Sequence, residues 1–195
     1  MARTIEFNRE EVLENAMHTF WEKGYSQTSI PNLVASTKLN PGSIYAAFGS
    51  KEGLFLEAIK YYGNDSLLNL KQFLTNTDSP LEGIENFFKA LINKTQNKND
   101  KGCLVVNTLL EMSSHNSNIQ AQANKQLGAI EAEFCNALKK AQTLKQLSST
   151  ENPKTLAKYF MVNIWGLRVL AKTGTMQSQT QTKDEVLKQI LRVLK

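Results

Sequence analysis

Apolar residues recur every three or four positions along almost the whole chain, and that spacing confines it to helices. Leu13, Ala16, Met17 and Phe20 make one stripe. Ile84, Phe87, Phe88, Leu91 and Ile92 make another, and Ile119, Ala123, Leu127, Ile130, Phe134, Leu138 and Ala141 a third. Gly and Pro number only 10 and 4 in 195 residues, too few for the tight turns of a β-sandwich. No stretch reads convincingly as a strand. The expected fold class is all-α.

Capping residues divide the stripes into helices. Asn8, with Glu11 three residues on, opens the first, and Gly24 stops it. Thr28 is expected to cap a second helix over Ser29–Ser36, with Ile30, Leu33 and Val34 inside. Lys38-Leu39-Asn40 reads as a turn, and Asn40 caps a third helix that starts at Pro41. Gly49-Ser50 breaks it, and Ser50 caps a fourth helix from Lys51 to about Leu74. Further helices are expected from Pro80, over Cys103–Met112, over Ser117–Leu147 and from Pro153 to about Thr173. A last one carries Val186, Leu187, Ile190, Leu191 and Leu194.

Three short helices with a tight turn between the second and third form a helix-turn-helix. Such a unit presents the start of its second helix to the major groove of DNA. Here that start is Asn40-Pro41-Gly42-Ser43, followed by Ile44, Tyr45, Ala46, Ala47 and Phe48. Gly42, Ser43, Ala46 and Ala47 are small enough for close approach to base edges. Ser43 can hydrogen-bond to a base, and an alanine can touch a thymine methyl. Tyr45 and Lys38 are placed to reach phosphates. Thr28 and Lys51 fall at helix starts, where backbone N–H groups favour a phosphate. Ile44 and Phe48 are expected to point inward. Bulk charge does not carry this reading. Net charge is +5, yet the first 60 residues hold six Lys and Arg against seven Asp and Glu, and residues 61–195 hold 17 against 11.

The stretch from Ala16 to Leu56 strongly resembles the DNA-binding domain of the TetR family. The resemblance rests on Phe20, Gly24-Tyr25, Thr28-Ser29-Ile30, Gly42-Ser43-Ile44-Tyr45, Phe48, Ser50-Lys51-Glu52 and Leu54. Lys38 stands where the family usually has Gly, and Pro41 where it often has Lys. Tyr45-Ala46-Ala47-Phe48-Gly49 and Gly102-Cys103-Leu104 with Asn107 and Glu111 resemble a subgroup of copper-outer-membrane and N-ethylmaleimide-reductase repressors. The resemblance implies a helix-turn-helix domain over residues 1–50, linked by a helix over about 51–74. It implies a regulatory ligand-binding and dimerisation domain over 51–195. The implied partners are double-stranded operator DNA, a small-molecule inducer and a second copy of the chain.

Family dimers are expected to join through the last two long helices. Leu156, Phe160, Asn163, Leu167, Leu170 and Gly174 repeat on one side of the first of these, and Gly166 permits close approach. Leu187 and Leu191 are the matching positions on the last helix. For the ligand, Phe88, Phe134, Met161 and Trp165 offer an apolar lining, with Phe87, Leu91 and Met112 nearby in type. Asn107, Glu111, His115 and Asn163 offer polar anchors, though core packing competes for all of these. Cys103 follows Lys101-Gly102 at a helix start, a setting in which thiols react readily. The apolar run after it favours simple burial instead.

Other classes find little support. His18 and His115 are the only histidines, and no catalytic arrangement, Gly-rich phosphate loop or HExxH occurs, so no enzyme and no cofactor are expected. Glu111 and His115 lie four apart, but two ligands do not make a metal site, and no metal is expected. An interaction protein reusing a helix-turn-helix without DNA is the remaining class. With no apolar run of about 18 residues and no apolar leader in MARTIEFNREE, no membrane contact and a cytoplasmic location are expected.

Overall fold

The computed structural model describes residues 7–94, 101–112, 116–173 and 180–194. Within them the elements are helical throughout. They are α1 (Arg9–Lys23), α2 (Ile30–Thr37), α3 (Pro41–Phe48), α4 (Lys51–Thr75), α5 (Pro80–Lys94), α6 (Leu104–Met112), α7 (Ser117–Thr143), α8 (Pro153–Thr173) and α9 (Thr180–Leu191), with a 3-10 turn at Arg192–Leu194. The all-α fold holds. His115 and Gly174 lie outside the described residues.

Side-chain oxygens cap the expected helix starts. Asn8 accepts from the N–H groups of Glu10 and Glu11 at 3.0 and 3.3 Å. Asn40 accepts from Ser43 N–H at 2.8 Å, and Ser50 Oγ from Gly53 N–H at 2.9 Å. Several ends differ from expectation: α2 spans Ile30–Thr37 rather than Ser29–Ser36, and α6 starts at Leu104 rather than Cys103. α2 is capped by Ser29, not Thr28. Ser29 Oγ accepts from Asn32 N–H, and Asn32 Oδ1 accepts from Ser29 N–H, a reciprocal pair that satisfies two otherwise unpaired donors. Thr28 turns inward, where its hydroxyl donates to the Gly24 carbonyl at 2.6 Å. α7 stops at Thr143 rather than Leu147. Lys145 adopts φ 57, and the N–H groups of Gln146 and Leu147 both return to the Ala141 carbonyl.

Lys38 ends α2 at φ 61, ψ 8, with its N–H on the Val34 carbonyl at 3.0 Å. A side chain in that left-handed region costs about 1–2 kcal/mol, a strain glycine would not carry.

The chain condenses into two units that do not follow its order. The first takes Met1–Asp65 and Leu104–Gln126, and the second Ser66–Cys103 and Leu127–Lys195. α4 and α7 therefore each contribute residues to both. In the first unit Phe20, Leu33, Ile44, Leu54, Phe55, Ile59 and Ile119 are fully buried. The Phe20 and Phe55 rings lie 4.6 Å apart. In the second unit Phe88, Phe134 and Phe160 pack in a triangle with centroids 5.3 to 6.2 Å apart. Leu70, Ile84 and Leu138 surround them.

Candidate nucleic-acid interface

α3 hangs from the core of the first unit by Ile44 and Phe48, four residues apart and both buried. Leu33 of α2 and Leu39 of the turn are buried with them. This leaves Pro41, Gly42, Tyr45 and Ala46 facing outward, Tyr45 with 47% of its surface exposed. Ser43 and Ala47 are half-buried, and Lys38 and Asn40 are exposed just before the helix. The structure thus brings Lys38, Asn40, Pro41, Gly42, Ser43, Tyr45 and Ala46 into one stretch of surface.

Thr28 and Lys51 are placed differently from the sequence expectation. Thr28 is buried, and both its hydroxyl and its N–H are spent on carbonyls of the preceding turn, so it offers no donor to a phosphate. Lys51 is half-buried with Nζ 4.4 Å over the Tyr25 ring. Burial pushes its pKa down, and the charge of Glu111 pulls it back up.

Arg9 is a positioning residue that sequence reasoning missed. Its guanidinium lies 4.4 Å over the Phe48 ring, donates to both Glu57 carboxylate oxygens at 2.6 and 2.8 Å, and reaches the Ala47 carbonyl at 3.4 Å. It thereby ties the start of α1 to the end of α3 and to α4. Its partners are 38 and 48 residues away, so no local pattern could have flagged it.

Residues 12–58 match the family described as bacterial regulatory proteins, tetR family, and residues 80–192 match the tetracyclin repressor-like C-terminal domain. The chain belongs to the TetR family. It is accordingly a DNA-binding transcriptional regulator and not an enzyme. It is 26% identical over 193 residues to the HTH-type transcriptional regulator YezE of Bacillus subtilis (strain 168), covering 98% of this chain and 100% of that one. It is 25% identical to the transcriptional repressor ComR of Escherichia coli (strain K12), covering 86% and 81%. Among solved structures, the TetR family regulator CifR in a complex with 26bp double-strand operator DNA aligns with a TM-score of 0.82 at 26% identity, covering 98% of each chain. NemR of E. coli shares the fold, with a TM-score of 0.82 at 16% identity over 95% of each chain.

In this TetR-family chain the seven residues expected around a ligand divide between the two units. Phe88, Phe134 and Met161 are sealed in the core of the second unit. Cys103, half-buried, belongs to that unit too, and Trp165 lies on its surface. Asn107 and Glu111 belong to the first unit. Two residues expected in the dimer contact are corrected. Phe160 and Leu167 are buried against their own chain, Phe160 between the Phe88 and Phe134 rings of α5 and α7 and Leu167 within the same core cluster. The face that α8 leaves bare is Val162, Trp165, Val169 and Leu170, next to Gly166. Asn163 is half-buried, and its Nδ2 donates to the Tyr159 carbonyl at 2.8 Å. Leu187 and Leu191 are half-buried against the core. An open groove of about 360 Å³ runs between Tyr159 and Asn163 of α8 and Glu185, Val186, Gln189 and Ile190 of α9.

Glu111 is already occupied. Its carboxylate accepts from Tyr25 N–H at 3.1 Å and Ser26 N–H at 2.7 Å. Burial pushes its pKa up, but the Ser26 backbone and hydroxyl, the Tyr25 backbone and the Lys51 charge outweigh it and hold the group below the usual carboxylate range. With a lowered folded pKa, its contribution to stability is complete above the ordinary carboxylate range. It is lost only as pH falls through the lowered value. No cluster of three metal-ligating side chains occurs among the described residues, nor any helix long and apolar enough to cross a membrane.

Proposed function

We propose that the protein is a repressor that binds a palindromic operator as a homodimer through α3 and is released by a small-molecule inducer. The observation that carries this reading is the outward face of α3. Pro41, Gly42, Tyr45 and Ala46 are exposed on a helix whose other side is locked into the core. Small residues let the backbone approach base edges, and one phenol reaches a phosphate. The operator complex of CifR supports double-stranded operator DNA as the partner. The bare apolar face of α8 supports a second copy as the other partner. A two-fold dimer matches half-sites about 34–36 Å apart. In this reading residues 1–50 read the DNA, residues 51–195 regulate and dimerise, and α4 links them. At 25 residues α4 spans about 37 Å, long enough to turn a small shift at its far end into a larger one at the DNA.

The test is selection of duplexes from a randomised library by the purified protein, followed by affinity measurement on the enriched duplex. An inverted repeat is expected. Tyr45→Ala should bind at least about tenfold more weakly, since a hydrogen bond to a charged group is worth roughly 1.5–3 kcal/mol and a dimer loses two. Helicity should be unchanged, because Tyr45 is exposed while Ile44 and Phe48 hold α3 in the core. Unchanged affinity would remove Tyr45 from the DNA surface, and failure to enrich any duplex would overturn the reading.

A second reading makes the release signal an electrophile or oxidant. It is favoured by the contrast between the two thiols: Cys103 is half-buried immediately before α6, whereas Cys135 is buried. The subgroup resemblance to copper-outer-membrane and N-ethylmaleimide-reductase repressors runs through the same residue. Iodoacetamide should then label Cys103 in the native protein and abolish DNA binding, with Cys103→Ser resistant. Labelling only after denaturation would leave a reversible inducer as the account.

A further inference from the structure

The segment that carries α2 and α3 is held at its entrance and at its exit, and both holds come from one distant stretch of chain. At the entrance, Gly24 ends α1 at φ 80, and the next two N–H groups, of Tyr25 and Ser26, both point at the Glu111 carboxylate. Successive amides turned the same way make a small anion site, and hydrogen bonds to an ionised carboxylate are about twice as strong as neutral ones. Gly24 suits this turn by its backbone, and any side chain there would press on the Glu111 carboxylate. The φ of Gly24 is left-handed, and a Cβ there would lie 2.8 Å from Glu111 Oε2. Met112 Sδ adds a contact to Ser26 Oγ at 3.8 Å. At the exit, Glu52 in the first turn of α4 accepts from Asn116 Nδ2 at 2.9 Å and Asn118 Nδ2 at 3.2 Å. Asn116 simultaneously caps α7, accepting from the N–H groups of Asn118 and Ile119 at 3.0 Å each. Lys51 lies over the Tyr25 ring, within reach of the Glu111 charge.

We propose that Glu111 is a positioning residue for DNA reading: from the end of α6 it holds the turn before α2 and so sets the attitude of the recognition helix, independently of α4. α2 and α3 are short, eight residues each, and their orientation depends on where their ends are fixed. Glu111, together with Asn116 and Asn118, fixes both ends. Any displacement of α6 therefore either drags the turn at Tyr25-Ser26 or breaks its two charge-assisted bonds. Helix α6 thus has its own line to the reading head. The proposal rests on α3 being the DNA-reading helix.

Glu111→Gln tests it without changing shape. The amide retains one acceptor oxygen but turns its NH₂ toward the other backbone donor. At a temperature where circular dichroism shows the variant fully folded, affinity for the wild-type-enriched duplex is expected to fall about tenfold. In ¹⁵N-correlated spectra the Tyr25 and Ser26 amides should shift, and signals of residues 41–48 should shift with them. Glu52→Gln, at the other hold, should act in the same direction. A merely structural role would lower the melting temperature and leave both the affinity of the folded protein and the signals of residues 41–48 in place, and that outcome overturns the proposal. The spectra need no DNA. They decide this point even if no duplex is enriched, an outcome that counts against the DNA reading instead.

Discussion

Glutamates placed together at Val162 and Val169 are expected to leave a folded monomer that no longer holds an operator. Both residues are exposed in the isolated chain, 63% and 46%, so neither belongs to the buried core of its own unit. They lie on the bare side of α8 with Trp165 and Leu170, and Gly166 between them leaves room for a partner helix, since nothing lies within 4 Å of a Cβ built there. In the proposed dimer a two-fold contact would repeat each substitution, so four carboxylates would be brought together and out of water. Desolvating a charge costs several kcal/mol, and dimer affinity should fall by at least about a thousandfold, or about 4 kcal/mol. Operator affinity should fall with it, because a monomer engages one half-site. Sedimentation velocity with circular dichroism decides the matter: a variant that still sediments as a dimer would show that the partner docks elsewhere.

Phe160→Ala should act in the opposite manner, on stability rather than on association. The ring is fully enclosed by Phe88 at 5.3 Å and Phe134 at 5.6 Å. Truncating such a ring costs about 3–5 kcal/mol, from lost transfer energy and the cavity left behind. That is a large share of the 5–15 kcal/mol that holds typical proteins folded. The melting temperature should drop by about 10 °C. At temperatures where the variant remains folded, its dimer affinity should stay within a few-fold of wild type. Were Phe160 a dimer contact instead, the variant would lose dimer affinity with little change in melting temperature at high protein concentration.

Much of the molecule could be read before folding. Helix type follows from local spacing, and most helix starts follow from a single residue whose side chain reaches an amide two or three positions on. Asn8, Asn40 and Ser50 are cases. The exposed face of α3 was legible for the same reason. Ile44 and Phe48 face inward on a helical period, so Gly42 and Ala46 face out with Tyr45 beside them, while Pro41 is exposed at the first position of the helix. Between neighbouring candidates local pattern is weaker. Ser29 rather than Thr28 caps α2, because the threonine methyl is better buried and Ser29 finds Asn32 as a reciprocal partner.

What remained for tertiary structure to decide is every choice between partners distant in the chain. An apolar stripe states that a face will be covered but not by what. Phe160 and Leu167 could serve a second copy as well as their own core, and only packing within the second unit, with the Phe88 and Phe134 rings against Phe160, selects the core. Polar side chains are harder still, since a carboxylate on a helix has no period that names its acceptor or donor. Arg9 meets Glu57, Glu111 meets Tyr25 and Ser26, and Glu52 meets Asn116, across 48 to 86 residues. Sequence alone therefore determined which segments are helical and which face of α3 is free. Long-range packing decided which side chains hold that face in place, because hydrogen bonds form between groups brought within about 3 Å, whatever their separation along the chain.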